Sequence, residues 1–145
     1  MARVPMNFAE VPTIEELRKP ATPGNYNIMA ETAGLTVNPD NVVFSEIKWV
    51  IQDSGDFEGK AIHSRFYLGD AELNDDGSLA GIDRSSDWGA ALLRQAFEAC
   101  GVAIDPERGP DTDDILGRTC NGLITVQAGD SDREFNRIEG YFPIA

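Results

Sequence analysis

The stretch KAIHSRFYLGD, Lys60 to Asp70, decides the fold. Side chains on a strand alternate between two faces. With that period Ile62, Ser64, Phe66 and Leu68 fall on one side, and Ala61, His63, Arg65 and Tyr67 on the other. Lys60 heads the apolar row by strict alternation, but it follows Gly59 at the strand mouth and can turn out to solvent. The second row holds the single histidine of the chain beside an arginine and a tyrosine, a cationic and aromatic surface in a protein of formal net charge −13.

Working outward, VVFSEIKWVI (Val42–Ile51) is a second β-branched and aromatic strand, and the short link QDSGDFEG pairs it antiparallel with the Lys60 strand. Its Ile47, Trp49 and Ile51 read as a core row, which leaves Phe44, Glu46, Lys48 and Val50 facing outward. NYNIMAETAG forms an earlier strand, between the turns TPG and NPDN. SSDWGAALLRQAFEACG predicts one substantial helix, capped by Ser85 or Ser86 and ended by Gly101, with Trp88, Leu92, Leu93, Ala96 and Phe97 as its apolar face. ILGRTCNGLITVQAG and REFNRIEGYFPI, joined by a GDSD turn, supply two more strands. Residues 1–20 read as an arm with a short helix, Thr13 capping it and Glu16 completing a capping box. The remaining 21–145 form one domain, mainly β. Its order of three strands, a helix, then two strands predicts a five-stranded OB-fold Greek-key barrel, with the helix between strands three and four.

At 145 residues a single domain is expected. No run approaches the ~20 apolar residues of a membrane span, and the first twenty residues lack the apolar centre of a signal peptide. A cytoplasmic protein with no membrane partner is expected. Cys100 and Cys120 read as two reduced, buried thiols. The acidic clusters GDAELNDDGSLAGIDRSSD and DPERGPDTDD lie in predicted connections, whereas Lys48, Lys60, Arg65, Arg118, Arg133 and Arg137 lie in or beside predicted strands. ELNDDGSLAGID (Glu72–Asp83) has the oxygen spacing of a calcium loop. Glutamate at the first place, Asp83 at the last and no preceding helix make it an acidic surface turn, and no metal is expected. One histidine, no phosphate-binding glycine loop and no nucleophile–base spacing argue against an enzyme or a cofactor.

Several motifs occur in a telling order: TPGNYNI, then IKWVIQDSGDFEGKAIHSRFYL, then LLRQAFEACGV, then DILGRTCNGLITVQ, and finally GYFPI. Together they resemble the phage single-stranded DNA-binding proteins of OB-fold type. The carrying residues are Gly59–Lys60, Arg65–Phe66–Tyr67–Leu68 and Leu116–Gly117–Arg118, and the resemblance spans about Ala21 to Ile144. It implies sequence-independent binding of single-stranded DNA in phage replication or recombination, alongside replication or recombination proteins, without catalysis or cofactor.

A single strand is held by cations along its phosphates and aromatic faces against its bases. The candidate contacts are Lys48, Trp49, Lys60, His63, Arg65, Tyr67, Arg118, Arg133, Arg137 and Tyr141. Each has a plainer use. Arg65 can pair with a nearby acid, Tyr67 can be a half-buried strand residue, Trp49 can be core, and Trp88 at the helix start reads as core. The acidity favours an alternative function, a protein-interaction module or an inhibitor that mimics DNA charge.

Overall fold

The computed structural model describes residues 2–11, 13–84, 87–129 and 133–144. Ser85 and Ser86, expected to cap the helix, and Asp130–Asp132 of the expected GDSD turn lie outside the described residues. In the arm, Phe8–Glu10 is a 3₁₀ turn and Ile14–Arg18 is helix α1. The Thr13 hydroxyl accepts the Glu16 N–H at 3.1 Å, half of the expected capping box.

Six strands follow: β1 (Gly24–Val37), β2 (Val42–Ile51), β3 (Ala61–Leu73), β4 (Leu79–Asp83), β5 (Thr119–Ala128) and β6 (Glu134–Phe142). Helix α2 (Asp87–Ala99) comes between β4 and β5 in the chain. The strands form one antiparallel sheet in the order β4-β3-β2-β1-β5-β6. The expected five strands are therefore corrected to six. The extra strand, β4, turns the acidic Glu72–Asp83 segment into a hairpin with β3. The Asn74 N–H donates to the Ser78 carbonyl at 2.8 Å and the Gly77 N–H returns to the Asn74 carbonyl at 2.9 Å. Carboxylates outnumber β-branched residues there, so strand propensity is low and the pairing depends on β3.

The sheet curls. Alternating direction across β3-β2-β1-β5-β6 leaves β3 and β6 pointing the same way, and the Tyr141 hydroxyl on β6 donates to Ser64 Oγ on β3 at 2.7 Å. Inside the curl, Tyr141 packs against Trp49 and Phe66, with ring centroids 5.3 and 5.9 Å apart. Ile28, Ile47, Ile51, Ile62 and Ile124 complete this core. The Trp49 indole N–H is buried near the Tyr141 hydroxyl without completing a hydrogen bond. Burial pushes the Tyr141 phenol above its ordinary range, so the hydroxyl stays a donor.

Helix α2 packs on this core through Leu93, Ala96 and Phe97. Its first turn rests on β3, where a Cβ on Gly89 would lie 1.9 Å from the Tyr67 carbonyl oxygen. Only glycine permits that approach. Because Gly89 makes the contact, Trp88 beside it is turned outward. The expectation that Trp88 is core is corrected: it is 67% exposed.

Candidate nucleic-acid interface

The alternation read from the sequence of β3 holds. Ile62 and Phe66 are buried, while Ala61, His63, Arg65 and Tyr67 are exposed. Antiparallel register sets Tyr67 opposite Phe44, Arg65 opposite Glu46 and His63 opposite Lys48. Tyr67 and Phe44 are ring neighbours at 5.7 Å, and the Arg65 guanidinium lies 5.1 Å over the Phe44 ring. At that distance the Arg65 cation is within reach of the Phe44 ring face, a cation–π contact.

Carboxylates temper this row. Glu46 takes Arg65 Nε at 3.5 Å and His63 Nδ1 at 3.6 Å, and Glu31 takes Lys48 Nζ at 3.2 Å. Glu31 reaches Lys48 from a β-bulge, since the register passes from Ala30–Trp49 to Thr32–Lys48 and leaves Glu31 as the extra residue. These pairs are partly to largely open to solvent, where such bridges are worth ~0–1 kcal/mol.

Where β3 passes β6 the surface sinks into a groove. A hollow of about 320 Å³ includes Lys60, His63 and Phe135 in its lining. It shares His63, Phe135 and Asn136 with a second, of about 620 Å³, which continues past Arg65, Tyr67, Trp88 and Arg137. Three rings are exposed along it: Tyr67 at 51%, Trp88 at 67% and Phe135 at 48%. Arg137 is exposed too, with Glu139 3.8 Å from its Nε. Partial burial lowers the Lys60 ammonium pKa from its ordinary value. Asn136 fastens the chain beside this groove just after the arm, accepting the Ala21 N–H at 2.8 Å and donating to the Ala21 carbonyl at 2.9 Å.

The structure thus brings together Lys60, His63, Arg65, Tyr67 and Arg137, with Lys48 beside them on β2. Two expected contacts are corrected. Trp49 belongs to the inward row of β2 and is fully buried. Tyr141 is buried because of a second bulge. The register passes from Leu123–Gly140 to Ile124–Ile138, so Glu139 is the extra residue and the parity of β6 reverses beyond it. Simple alternation from Arg137 would have placed Tyr141 outside. Arg118 stands apart from the groove lining: its Nε donates to the Asp114 carbonyl at 2.9 Å, and its guanidinium lies beside Gly101 below the end of α2. Arg133 is exposed just before β6 and does not line the groove.

Trp88 and Phe135 join the site unforeseen. Phe135 carried a usable signal, since Arg133, Phe135 and Arg137 share one face at strand spacing. Trp88 carried none, because its direction depends on where Gly89 lands. A separate hollow of about 700 Å³ lies between α2 and residues 104–110. Arg84 and Arg94 at its rim are already held by Asp87 and Glu98, at 2.8 and 2.7 Å. Among the described residues no three His, Cys, Asp or Glu side chains gather as metal ligands, and no helix is long and apolar enough to cross a membrane. No protein-family model matches this sequence, and a search of curated proteins finds no match.

Proposed function

We propose that the chain binds single-stranded DNA without sequence preference, along the groove between β3 and β6, as a non-enzymatic component of phage DNA replication or recombination. The observation that carries this reading is the groove lining: Tyr67, Trp88 and Phe135 exposed in one channel with Lys60, His63, Arg65 and Arg137. Rings offer stacking to any base, and cations beside them track phosphates. Bases paired within a duplex are not free to stack on such rings, so the groove suits unpaired strands. The sheet supports the same reading. With the β4 hairpin set aside, β3-β2-β1-β5-β6 is a curled five-stranded sheet, and an OB-type barrel binds oligonucleotides on its β2–β3 face.

A second reading, an acidic module that binds protein or mimics DNA charge, draws on the carboxylates Glu31, Glu46 and Glu139 set against the cations of this face. Titration with oligo-dT at several salt concentrations, followed by anisotropy and tryptophan fluorescence, separates the two. Strand binding predicts saturation and an affinity falling with salt at ~0.7 log units per phosphate contact, per log unit of salt. Absence of binding at low salt overturns it. Trp88 is exposed and Trp49 buried, so quenching should arise from Trp88 and vanish in Trp88→Phe while the anisotropy change persists.

Glu46 restrains Arg65 and His63, so Glu46→Gln is expected to tighten oligo-dT binding about two- to fivefold at low salt, the effect of removing ~0.5–1 kcal/mol of competing charge. An unchanged or weaker affinity at low salt would show that Arg65 does not meet phosphate.

A further inference from the structure

Strand β1 outruns its partner on one side. It pairs with β2 as far as Val37, but its register with β5 ends at Met29–Thr119. The last bonds on the β5 side belong to Ala30, whose N–H donates to the Arg118 carbonyl at 3.0 Å and whose carbonyl accepts the Gly117 N–H at 2.8 Å. Beyond Ala30 that side of β1 meets no strand among the described residues. The ladder sets the direction of the backbone groups. The Asn38 N–H donates to the Val42 carbonyl at 3.0 Å, in the same unbroken register that sets Thr36 opposite Phe44 and Gly34 opposite Glu46. Peptide groups alternate in direction along an antiparallel strand, so Thr36 and Gly34 also turn toward β2. Ala33, Leu35 and Val37 turn their N–H and carbonyl groups away from it, and no group among the described residues bonds them there.

The side chains add an apolar row. Ala33, Leu35 and Val37 lie opposite Ile47, Ser45 and Val43, all three buried, so they share the core-facing side of the sheet. Yet Leu35 is 48% exposed and Val37 37%, because the row runs on past the core. Thr32–Val37 carries no charge in a chain of net −13, and Glu31 just before it is taken by Lys48. An uncharged, unpaired strand edge is a template for another strand.

We propose that two copies of this chain pair through the open half of β1, antiparallel about a two-fold axis at Leu35. Parity fixes the register. Only Ala33, Leu35 and Val37 offer bonds, so a self-complementary ladder sets Leu35 against Leu35 of the second copy and Ala33 against Val37. The absence of charge selects this occupant. A basic peptide would find no free carboxylate along Thr32–Val37 and an acidic one no cation, whereas self-pairing sets no like charges opposite each other there. Repulsion between two chains of net −13 is screened by salt, so association should tighten as salt rises, the reverse of strand binding. None of the residues lining the groove lies on β1, so the pairing is independent of what the groove binds.

The test is sedimentation of the wild-type chain over a range of protein concentration, in salt high enough to screen the net charge. A concentration-dependent shift to twice the monomer mass is expected. Leu35→Lys sets two ammonium groups against each other across the axis and should weaken association about tenfold or more. Amide exchange at Ala33 and Val37 should then be faster than in the wild type. In Leu35→Cys the opposed Cα atoms, ~5.5 Å apart in such a ladder, are within the span of a disulfide. Oxidised glutathione should join two chains at residue 35, while Cys100 and Cys120 stay buried. A wild-type chain that stays monomeric leaves this edge to a strand of some other protein and overturns the proposal. So does a dimer that Leu35→Lys leaves intact, or a Leu35→Cys chain that oxidation does not join through residue 35.

Discussion

Gly89→Ala is expected to lower the melting temperature by about 5–10 °C, as the loss of ~2–3 kcal/mol would in a domain of this size. Helix propensity alone predicts the reverse, because alanine inside a helix is favoured over glycine by ~1 kcal/mol. Close approach reverses the sign. The added Cβ would lie 1.9 Å from the Tyr67 carbonyl oxygen and 2.9 Å from its carbon, atoms of strand backbone that cannot swing aside. The first turn of α2 must unwind or lift from β3, and Trp88 moves with it. Thermal unfolding followed by circular dichroism checks this. An unchanged or raised melting temperature would show that α2 is not seated on β3 at this point.

Tyr67→Ala with Trp88→Ala should weaken oligo-dT binding roughly thirty- to a thousandfold, from ~1–2 kcal/mol for each stacked base lost. Both rings are more than half exposed, at 51% and 67%, so the fold should survive with little change in melting temperature. Trp49 serves as the internal control, because its buried fluorescence still reports the folded core. Affinity within about threefold of the wild type would remove the far end of the groove from the site, even if another surface binds the strand.

Much of the framework was legible because burial imposes strict periods. Val42–Ile51 emerges as a strand with the observed bounds, and the inward and outward rows of β3 follow from alternation alone. Thr13 announces α1 through its cap. The misplaced residues share physical causes. Tyr141 turned inward because one extra residue, Glu139, reverses parity, and a bulge leaves no mark in composition. Trp88 turned outward because helix docking was decided by the absence of a side chain at Gly89. β4 is not legible in the sequence because its pairing comes from its neighbour β3, not from its own residues. Of the groove, the β3 wall was legible strand by strand. The β6 wall is half legible, since Arg137 reads as a candidate contact from its charge and Phe135 in the same row reads as an ordinary strand aromatic. The closeness of the two walls is a product of sheet curl, which no local pattern encodes.

The β3–β4 hairpin gives the acidity of the chain a purpose unconnected with any ligand. β4 ends the sheet, so one rim of its backbone donors and acceptors meets no strand among the described residues. Such a rim invites a second copy to add its own strand. Here Asp70 and Asp83 face each other across the ladder, Glu72 stands opposite Gly81, and Asp75 and Asp76 cap the turn. Two chains meeting at this border would crowd like charges together at close range. The negative charge thus acts as insulation that keeps neighbouring molecules from stitching their sheets into one. The hairpin pairing begins at Asp70, beyond the Lys60 to Tyr67 stretch of β3 that lines the groove.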